Sequence, residues 1–427
     1  MDPPTEILEG ASPMDGKAAE DAVSVVLDNG DLLLDLLLRL GLHSSLVRAI
    51  LVNKRWFSVA SDPFLLRWFR RLHPPRLLGF YVATRSTTSH VLFRPRFVPM
   101  PPPESDPELA AAVRMAETYS GLDAYDEDFA CICDLQNDTL LVSGFDGKRC
   151  QGTHVHWPLS PHRGVVAVPV IPYELLDGPT CTIAQFLLKL DQGGRDSLVY
   201  VMLAMGFVVK GIGEYSVKYK AHVYVLQEDG QWRFRASPAA VLPSPKSDSN
   251  PLLVGTKIYL EHSTSIAVLD LKTSTFSSIP LPEGMEKYDY KEMMLAPADD
   301  SGIFLLHLDE NLQLCIWLRI GGGTPKWVLF DVVDLSQMFE TLGMTGWTDD
   351  DEPATLFQTT QMGDFLEFVF LKLGQCAFCF DTRRRVLLKL YEETQEDQTL
   401  ERFHPLMMTW PPKFPALKGD HVARNVC

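Results

Sequence analysis

The sequence has no apolar run long enough to cross a membrane. Its longest run, from Leu198 to Val209, has 12 residues and includes Gly206, whereas a membrane-spanning helix needs about 20. The N-terminal stretch MDPPTEILEGASPMD also lacks the basic start and the apolar segment of a secretory signal. These two absences predict an intracellular protein, located in the nucleus, the cytoplasm or both, without a membrane partner.

Positive charge and cysteine are scarce as well. Lys and Arg number 39 against 55 Asp and Glu, which gives a net charge of −16 over 427 residues. Such a surface repels phosphate backbones, so we expect no nucleic-acid partner. The eight cysteines are scattered and lack the dense spacing of a disulfide framework, which predicts reduced thiols.

Metal-ligand and catalytic motifs are few and incomplete. Cys376 and Cys379 have the spacing of a zinc knuckle, but no second Cys or His pair lies at a matching distance. Cys376 and Cys379 are three positions apart, so in a strand their side chains face opposite sides. Cys131 and Cys133 share one face of a strand, but two ligands do not complete a metal site. No GxSxG or HExxH motif occurs. The sequence therefore predicts no catalytic residue, no metal and no cofactor.

Composition divides the chain into three regions. Residues 1–22 carry six acidic residues against one lysine, which predicts a disordered tail. Residues 23–72 show helical periodicity and a net charge of +3, with seven basic and four acidic residues. Residues 77–422 are rich in Val, Ile, Phe and Tyr and are interrupted by turn residues at short intervals, which predicts a β-rich region.

The helical region predicts three short helices. Leucines cover most of the circumference of the first, Asp31 to Leu40, and leave a polar stripe with an ion pair between Asp35 and Arg39. The second is predicted to run from a Ser44-Ser45 cap to near Trp56, and the third to begin at Ser61-Asp62-Pro63.

About fifty residues cannot bury so large a leucine surface alone, because small domains have little interior. The surface must pack either on the β-rich region of the same chain or on a partner protein. The pattern of residues leaves both possibilities open.

Two stretches of the helical region carry a recognisable motif. They are LLLDLLLRL, from Leu32 to Leu40, and SSLVRAILVNKRWFSVASDPFLLRWFRRLHPP, from Ser44 to Pro75. Together they resemble the F-box of plant F-box proteins, and the trailing HPPRLLGFYV is similar to a grass-type subgroup. Three positions depart from the usual F-box pattern. The family usually opens with Leu-Pro, where this chain has Leu27 to Gly30. The family usually has Pro where this chain has Gly41, and often Cys where it has Asn53.

The resemblance implies that this region docks on a Skp-type adaptor, which joins a cullin scaffold and a RING subunit in an SCF ubiquitin ligase. A partner helix bundle would then supply the missing cover for the leucines. The predicted adaptor-binding residues are Leu33, Leu36, Leu37, Leu40, Leu46, Ile50 and Trp56.

The β-rich region contains repeated hairpin-like units. Their central residues Val225, Leu269, Trp317 and Phe380 are separated by 44, 48 and 63 positions, close to the roughly 40 to 50 residues of a propeller blade. The segment from Val254 to Pro282 also resembles the β-propeller that follows the F-box in many plant F-box proteins. The predicted fold is therefore multidomain, α plus all-β, with a three-helix F-box followed by a β-propeller of about six or seven blades. A pair of β-sandwiches is the alternative.

These features together predict a non-catalytic substrate-receptor subunit of an SCF-type ligase, whose propeller recruits a protein target. One alternative is an enzyme that uses the central face of the propeller, and another is an F-box protein that acts as a scaffold outside the ligase. An enzyme would need acid, base or metal groups converging from several blades, and the sequence nominates none.

Overall fold

The chain forms two compact units, Met1–Arg76 together with Thr409–Cys427, and Leu77–Met408. The predicted disordered tail, residues 1–22, lies outside the described residues. The computed structural model describes residues 29–89, 92–101, 106–122, 129–136, 138–146, 149–168, 180–191, 196–211, 214–227, 229, 231–237, 239–242, 251–261, 265–285, 293–298, 302–320, 326–344, 354–357, 366–410 and 414.

The described part of the first unit, called the helical unit below, contains four helices where three were predicted. They are α1 (Gly30–Leu38), α2 (His43–Ala49), α3 (Lys54–Ala60) and α4 (Pro63–Leu72). The predicted second helix is divided because the Asn53 side chain accepts a hydrogen bond from the Trp56 amide at 3.0 Å and caps a new helix. α2 also begins at His43 without a side-chain cap, so the predicted Ser44-Ser45 cap was wrong.

Two local predictions for the helical unit are confirmed. The Asp62 carboxylate caps α4, accepting hydrogen bonds from the amides of Phe64 at 2.7 Å and Leu65 at 3.3 Å. Asp35 and Arg39 form the predicted ion pair, with an N–O distance of 2.8 Å. Both interactions join residues two to four positions apart, so the sequence pattern alone encodes them.

The helical unit has its own apolar core, and the C-terminal segment of the chain contributes to it. Trp410 stacks nearly parallel to Phe69, with ring centres 6.2 Å apart. Phe414 meets Phe57 edge to face at 6.1 Å. The prediction that residues 409–422 belong to the β-rich region was therefore wrong for Trp410 and Phe414, which pack on the helices.

Removing the Trp410 ring should destabilise the helical unit. The ring lies 4.7 Å from that of His43 and beneath the Arg70 guanidinium at 5.6 Å. For Trp410→Ala we expect the free energy needed to open the helical unit to fall by about 2 kcal/mol. The change removes a half-buried aromatic ring together with its contacts to neighbouring rings. Amide hydrogen exchange in α4 of the full chain measures this. Trp68→Ala, at a ring that is 59% exposed, should leave exchange unchanged, and equal exchange in both variants would contradict the prediction.

The second unit consists, in its described residues, of six antiparallel sheets. The strands are β1 (Leu77–Ser86), β2 (Arg96–Pro99), β3 (Phe129–Gln136), β4 (Thr139–Asp146), β5 (Arg149–His156), β6 (Val166–Ala167), β7 (Thr180–Asp191), β8 (Asp196–Gly211), β9 (Glu214–Leu226), β10 (Trp232–Ala236), β11 (Ala239–Leu242), β12 (Leu252–Val254), β13 (Lys257–Glu261), β14 (Ser265–Asp270), β15 (Thr275–Pro280), β16 (Met293–Pro297), β17 (Ile303–Leu308), β18 (Gln313–Arg319), β19 (Val328–Asp334), β20 (Thr355–Leu356), β21 (Phe368–Leu373), β22 (Cys376–Asp381), β23 (Val386–Glu392) and β24 (Gln398–Met407). β3–β6 form blade 1, β7–β11 blade 2, β12–β15 blade 3, β16–β19 blade 4 and β20–β23 blade 5, while β2, β1 and β24 form the closing sheet.

The six sheets are arranged in a closed ring. Each consecutive pair of sheets shares an apolar cluster, from blades 1 and 2 round to the closing sheet and blade 1. β24 pairs antiparallel with β1, with Phe80 opposite Pro405, so the two ends of the unit meet in one sheet. Two sandwiches would not link sheets in a ring. The fold is a six-blade β-propeller, within the predicted range of blade numbers.

The predicted repeat matches the blades. Val225, Leu269, Trp317 and Phe380 each lie on the third strand of a sheet, in blades 2, 3, 4 and 5 respectively. Two further helices, α5 (Pro107–Tyr119) and α6 (Ser336–Thr341), accompany the strands. No helix within the described ranges is both long and apolar enough to span a bilayer.

Candidate adaptor-binding surface

The predicted adaptor-binding residues separate into buried and accessible groups. Leu36 is 41% exposed, and Leu40 and Trp56 are half-buried. The others belong to the core of the helical unit, so they shape its surface from beneath. These buried residues are Leu33, Leu37, Leu46 and Ile50.

One exposed apolar stripe lies on α1. Leu32 is 42% exposed, and Leu36 follows it four residues later on the same side of the helix. Leu33 and Leu37, one position further in each case, face the core. Leu32 was not predicted as a site residue, although its spacing of four from Leu36 was a usable signal.

A second exposed apolar stripe lies on α4, where it was not predicted. Phe64, Trp68 and Leu72 recur every four residues and are all exposed. The opposite side of α4 supplies Leu65 and Phe69 to the core. The sequence signal was an excess of large apolar residues, more than one buried face of a ten-residue helix needs.

The helical unit is positively charged although the whole chain is negative. Residues 29–76 contain eight Lys and Arg against three Asp and Glu, a net charge of +5 compared with −16 for the chain. Arg67 and Arg71 are exposed on α4, next to Trp68 in sequence. The two stripes therefore suit a partner that presents apolar side chains among acidic ones.

Histidines help to fix the helices beneath these stripes. The His73 Nε2–H donates to the Leu38 carbonyl oxygen at 2.7 Å, near the C-terminal end of α1. Burial lowers the pKa of His43 to about 4, and the positive charge of Arg70 acts in the same direction. His43 is therefore neutral at physiological pH and packs as an aromatic ring against Phe69 and Trp410.

The described part of the propeller offers no cluster of metal ligands. It contains no group of three or more His, Cys, Asp or Glu placed to hold a metal ion. Two of the buried carboxyl groups, those of Asp134 and Glu261, lie on different blades. Burial raises the pKa of Asp134, on blade 1, to about 7 and that of Glu261, on blade 3, to about 8. Cys376 and Cys379 are buried in different inter-blade cores, as expected for opposite faces of a strand.

The buried Glu261 should make propeller stability depend on pH. Its pKa is higher when folded than when unfolded, so the folded state binds the extra proton between about pH 4 and pH 8. Stability is therefore lost as pH rises through this window.

Glu261→Gln removes the titration, and from pH 5 to pH 8 the parent should lose about 3 kcal/mol of unfolding free energy relative to the variant. Urea unfolding at both pH values measures the difference; the control Glu283→Gln, at an exposed position, should follow the parent. If the free energy of unfolding changes by the same amount between pH 5 and pH 8 in the parent and in Glu261→Gln, the prediction is contradicted.

Comparison with known families identifies the propeller. Residues 131–414 match the family described as F-box protein AT5G49610-like, beta-propeller, which is about two thirds of the 427 residues. The chain belongs to this family. The region shared with the F-box protein AT5G49610-like propellers runs from β3 through β24 and includes Trp410 and Phe414, which pack on the helical unit.

Similarity to individual proteins is weak. No curated protein matches the sequence significantly. A mutant of AofleA from Arthrobotrys oligospora is 13% identical over 65% of this chain and 88% of its own, with a TM-score of 0.22. A mutant of prolyl oligopeptidase B from Galerina marginata is 12% identical over 92% of this chain, with a TM-score of 0.25, and this chain spans 57% of its length. Neither similarity bears on the function of this family member.

Proposed function

We propose that this chain is a substrate-receptor subunit of an SCF-type ubiquitin ligase. In this proposal the helical unit is an F-box that docks on a Skp-type adaptor, through which cullin and RING subunits join. The propeller recruits a protein target. The chain itself makes and breaks no bond, and acts by raising the effective concentration of the target near a ubiquitin-charged enzyme.

The observation that carries the proposal is the apolar surface left over when the helical core is complete. Leu32 and Leu36 remain exposed on α1, while Leu33 and Leu37 already fill the core. An apolar stripe that stays exposed beside a completed core is typical of a protein-binding site. It lies in a chain whose propeller belongs to an F-box protein family.

Reconstitution of the complex tests the proposal. The purified full chain is mixed with a Skp-type adaptor, and then with cullin and RING subunits, and each mixture is separated by size-exclusion chromatography. We expect a complex with the adaptor that also retains cullin and RING. A correctly folded chain that elutes apart from the adaptor would refute the proposal, and a complex that excludes cullin would favour a scaffold outside the ligase.

A further inference from the structure

Two thiols and a guanidinium meet where blade 1 adjoins the closing sheet. Cys131 and Cys133 lie on β3, and the pairing of β3 with β4 steps from Ile132 to Asp134, so Cys133 is the extra residue of a β-bulge. The two thiols lie close enough to influence each other's pKa, and the Cys133 Sγ–H donates to the Cys131 carbonyl oxygen at 3.7 Å. Two residues along a strand span about 6.5 Å, which is within the Cα separation of disulfides, and a bulge bends the strand further.

A cation is placed on one of the two sulfurs. The Arg402 guanidinium, on β24, donates to the Cys131 Sγ at 3.0 Å. Arg402 is exposed, and among the described residues it pairs with no carboxylate. The Cys133 Sγ lies instead 3.2 Å from the Ser143 hydroxyl, deeper in blade 1. The two thiols therefore differ in environment, one facing a positive charge and one facing a neutral hydroxyl.

The two thiols also differ in pKa, and Cys131, which contacts the cation, has the lower pKa. The hydrogen bond from Cys133 and the charge of Arg402 hold the pKa of Cys131 below its usual range, against the effect of burial. The pKa of Cys133 is raised, first by its hydrogen bond to Cys131 and then by burial. A cysteine beside a cation, half-accessible and next to a second thiol, has the features of a redox-sensitive pair.

We propose that Cys131 and Cys133 form a peroxide-sensitive dithiol, in which Cys131 is the nucleophile, Cys133 the resolving thiol and Arg402 the group that stabilises the Cys131 thiolate. This site does not depend on the ligase assignment. Cys315 and Cys379 lack its features, because burial raises their pKa and the charged neighbours that raise it further, Asp309 and Asp381, are acidic. Cys376 has a cationic neighbour, Lys389, but burial outweighs it and raises the pKa of this thiol.

The oxidation has two steps. The Cys131 thiolate attacks one oxygen of hydrogen peroxide; an S–O bond forms, the O–O bond breaks, and the hydroxide released is protonated to water. The Cys133 sulfur then attacks the Cys131 sulfur as its proton leaves; the S–S bond forms and the hydroxyl departs with that proton as a second water. The two thiols lose two electrons in total, and the peroxide is reduced to water.

Oxidation would also change the local charge. In the reduced state the Cys131 thiolate balances the exposed Arg402 guanidinium. A disulfide carries no charge, so Arg402 would then lose its anionic partner at Cys131. A reversible change of one unit charge at a surface alters which charged segments can bind there.

Mass spectrometry of the full-length protein tests the site directly. Trypsin releases residues 115–148 as one peptide that contains Cys131 and Cys133 and no other cysteine. After brief exposure to hydrogen peroxide and alkylation, we expect this peptide to lack both alkyl groups and to be lighter by two hydrogens, with reversal by a reducing agent. A peptide that stays fully alkylated, while other cysteines oxidise first, would overturn the proposal.

Variants separate the three roles. Cys133→Ser should trap a sulfenic acid at Cys131 that reacts with dimedone, and Cys131→Ser should abolish the rapid oxidation. Arg402→Gln should slow alkylation of Cys131 at neutral pH by about tenfold but not at high pH, where the thiol is ionised in any case. Arg402→Lys should restore most of the rate. Cys315 in the same protein serves as the internal control, and alkylation of Cys131 no faster than of Cys315 would refute the role of Arg402.

Discussion

Phe403→Ala should lower the stability of the propeller by about 4 kcal/mol, because it removes the centre of an aromatic cluster at the closure of the ring. Phe403 lies on β24 and is fully buried. Its ring centre is 4.6 Å from that of Phe80 in the closing sheet, and 5.3 Å and 5.4 Å from those of Phe357 and Phe370 near blade 5. The change would weaken the joint between the first and last strands of the unit.

Urea unfolding of the full chain, followed by far-ultraviolet circular dichroism, measures this effect. The matched control is Phe234→Ala on β10, where the side chain is 57% exposed and a change within about 0.5 kcal/mol is expected. If Phe403→Ala and Phe234→Ala unfold at the same urea concentration, the cluster does not secure the closure of the propeller.

Leu32→Ala combined with Leu36→Ala should weaken binding to a Skp-type adaptor by about a hundredfold. Each leucine that becomes buried on binding contributes about 1.5 kcal/mol or more, and two together give about 3 kcal/mol. The double variant should remain folded, because both side chains point away from the core and Ala favours a helix. Isothermal titration calorimetry with the purified adaptor measures the change.

Leu37→Ala provides the comparison. Leu37 is fully buried in the helical core, so its truncation should destabilise the unit by about 2 to 5 kcal/mol and lower adaptor affinity only through unfolding. Hydrogen exchange in α1 separates the two mechanisms. If the double variant binds as tightly as the parent and exchanges normally, the α1 stripe is not the adaptor surface.

The sequence by itself determined the features that neighbouring residues encode. The Asp62 cap, the Asp35–Arg39 pair and the hairpins of the blades all depend on contacts a few positions apart, and the structure has them where the pattern predicts. The blade repeat was visible because each sheet reuses the same order of strands and turns. For the candidate site, the sequence identified the leucine-rich helix but could not separate Leu36 from Leu37.

The tertiary structure alone decided which residues meet over long distances in the chain. It directs Leu37 inward and Leu36 outward, brings Trp410 back to Phe69, and places Arg402 on Cys131 across 271 positions. Periodicity gives a helix or strand its apolar residues, but leucines around most of a helix have no unique inward face until neighbouring helices pack against it. A contact between distant residues leaves no spacing signal in one sequence, because its partners become neighbours only when the ring of blades closes.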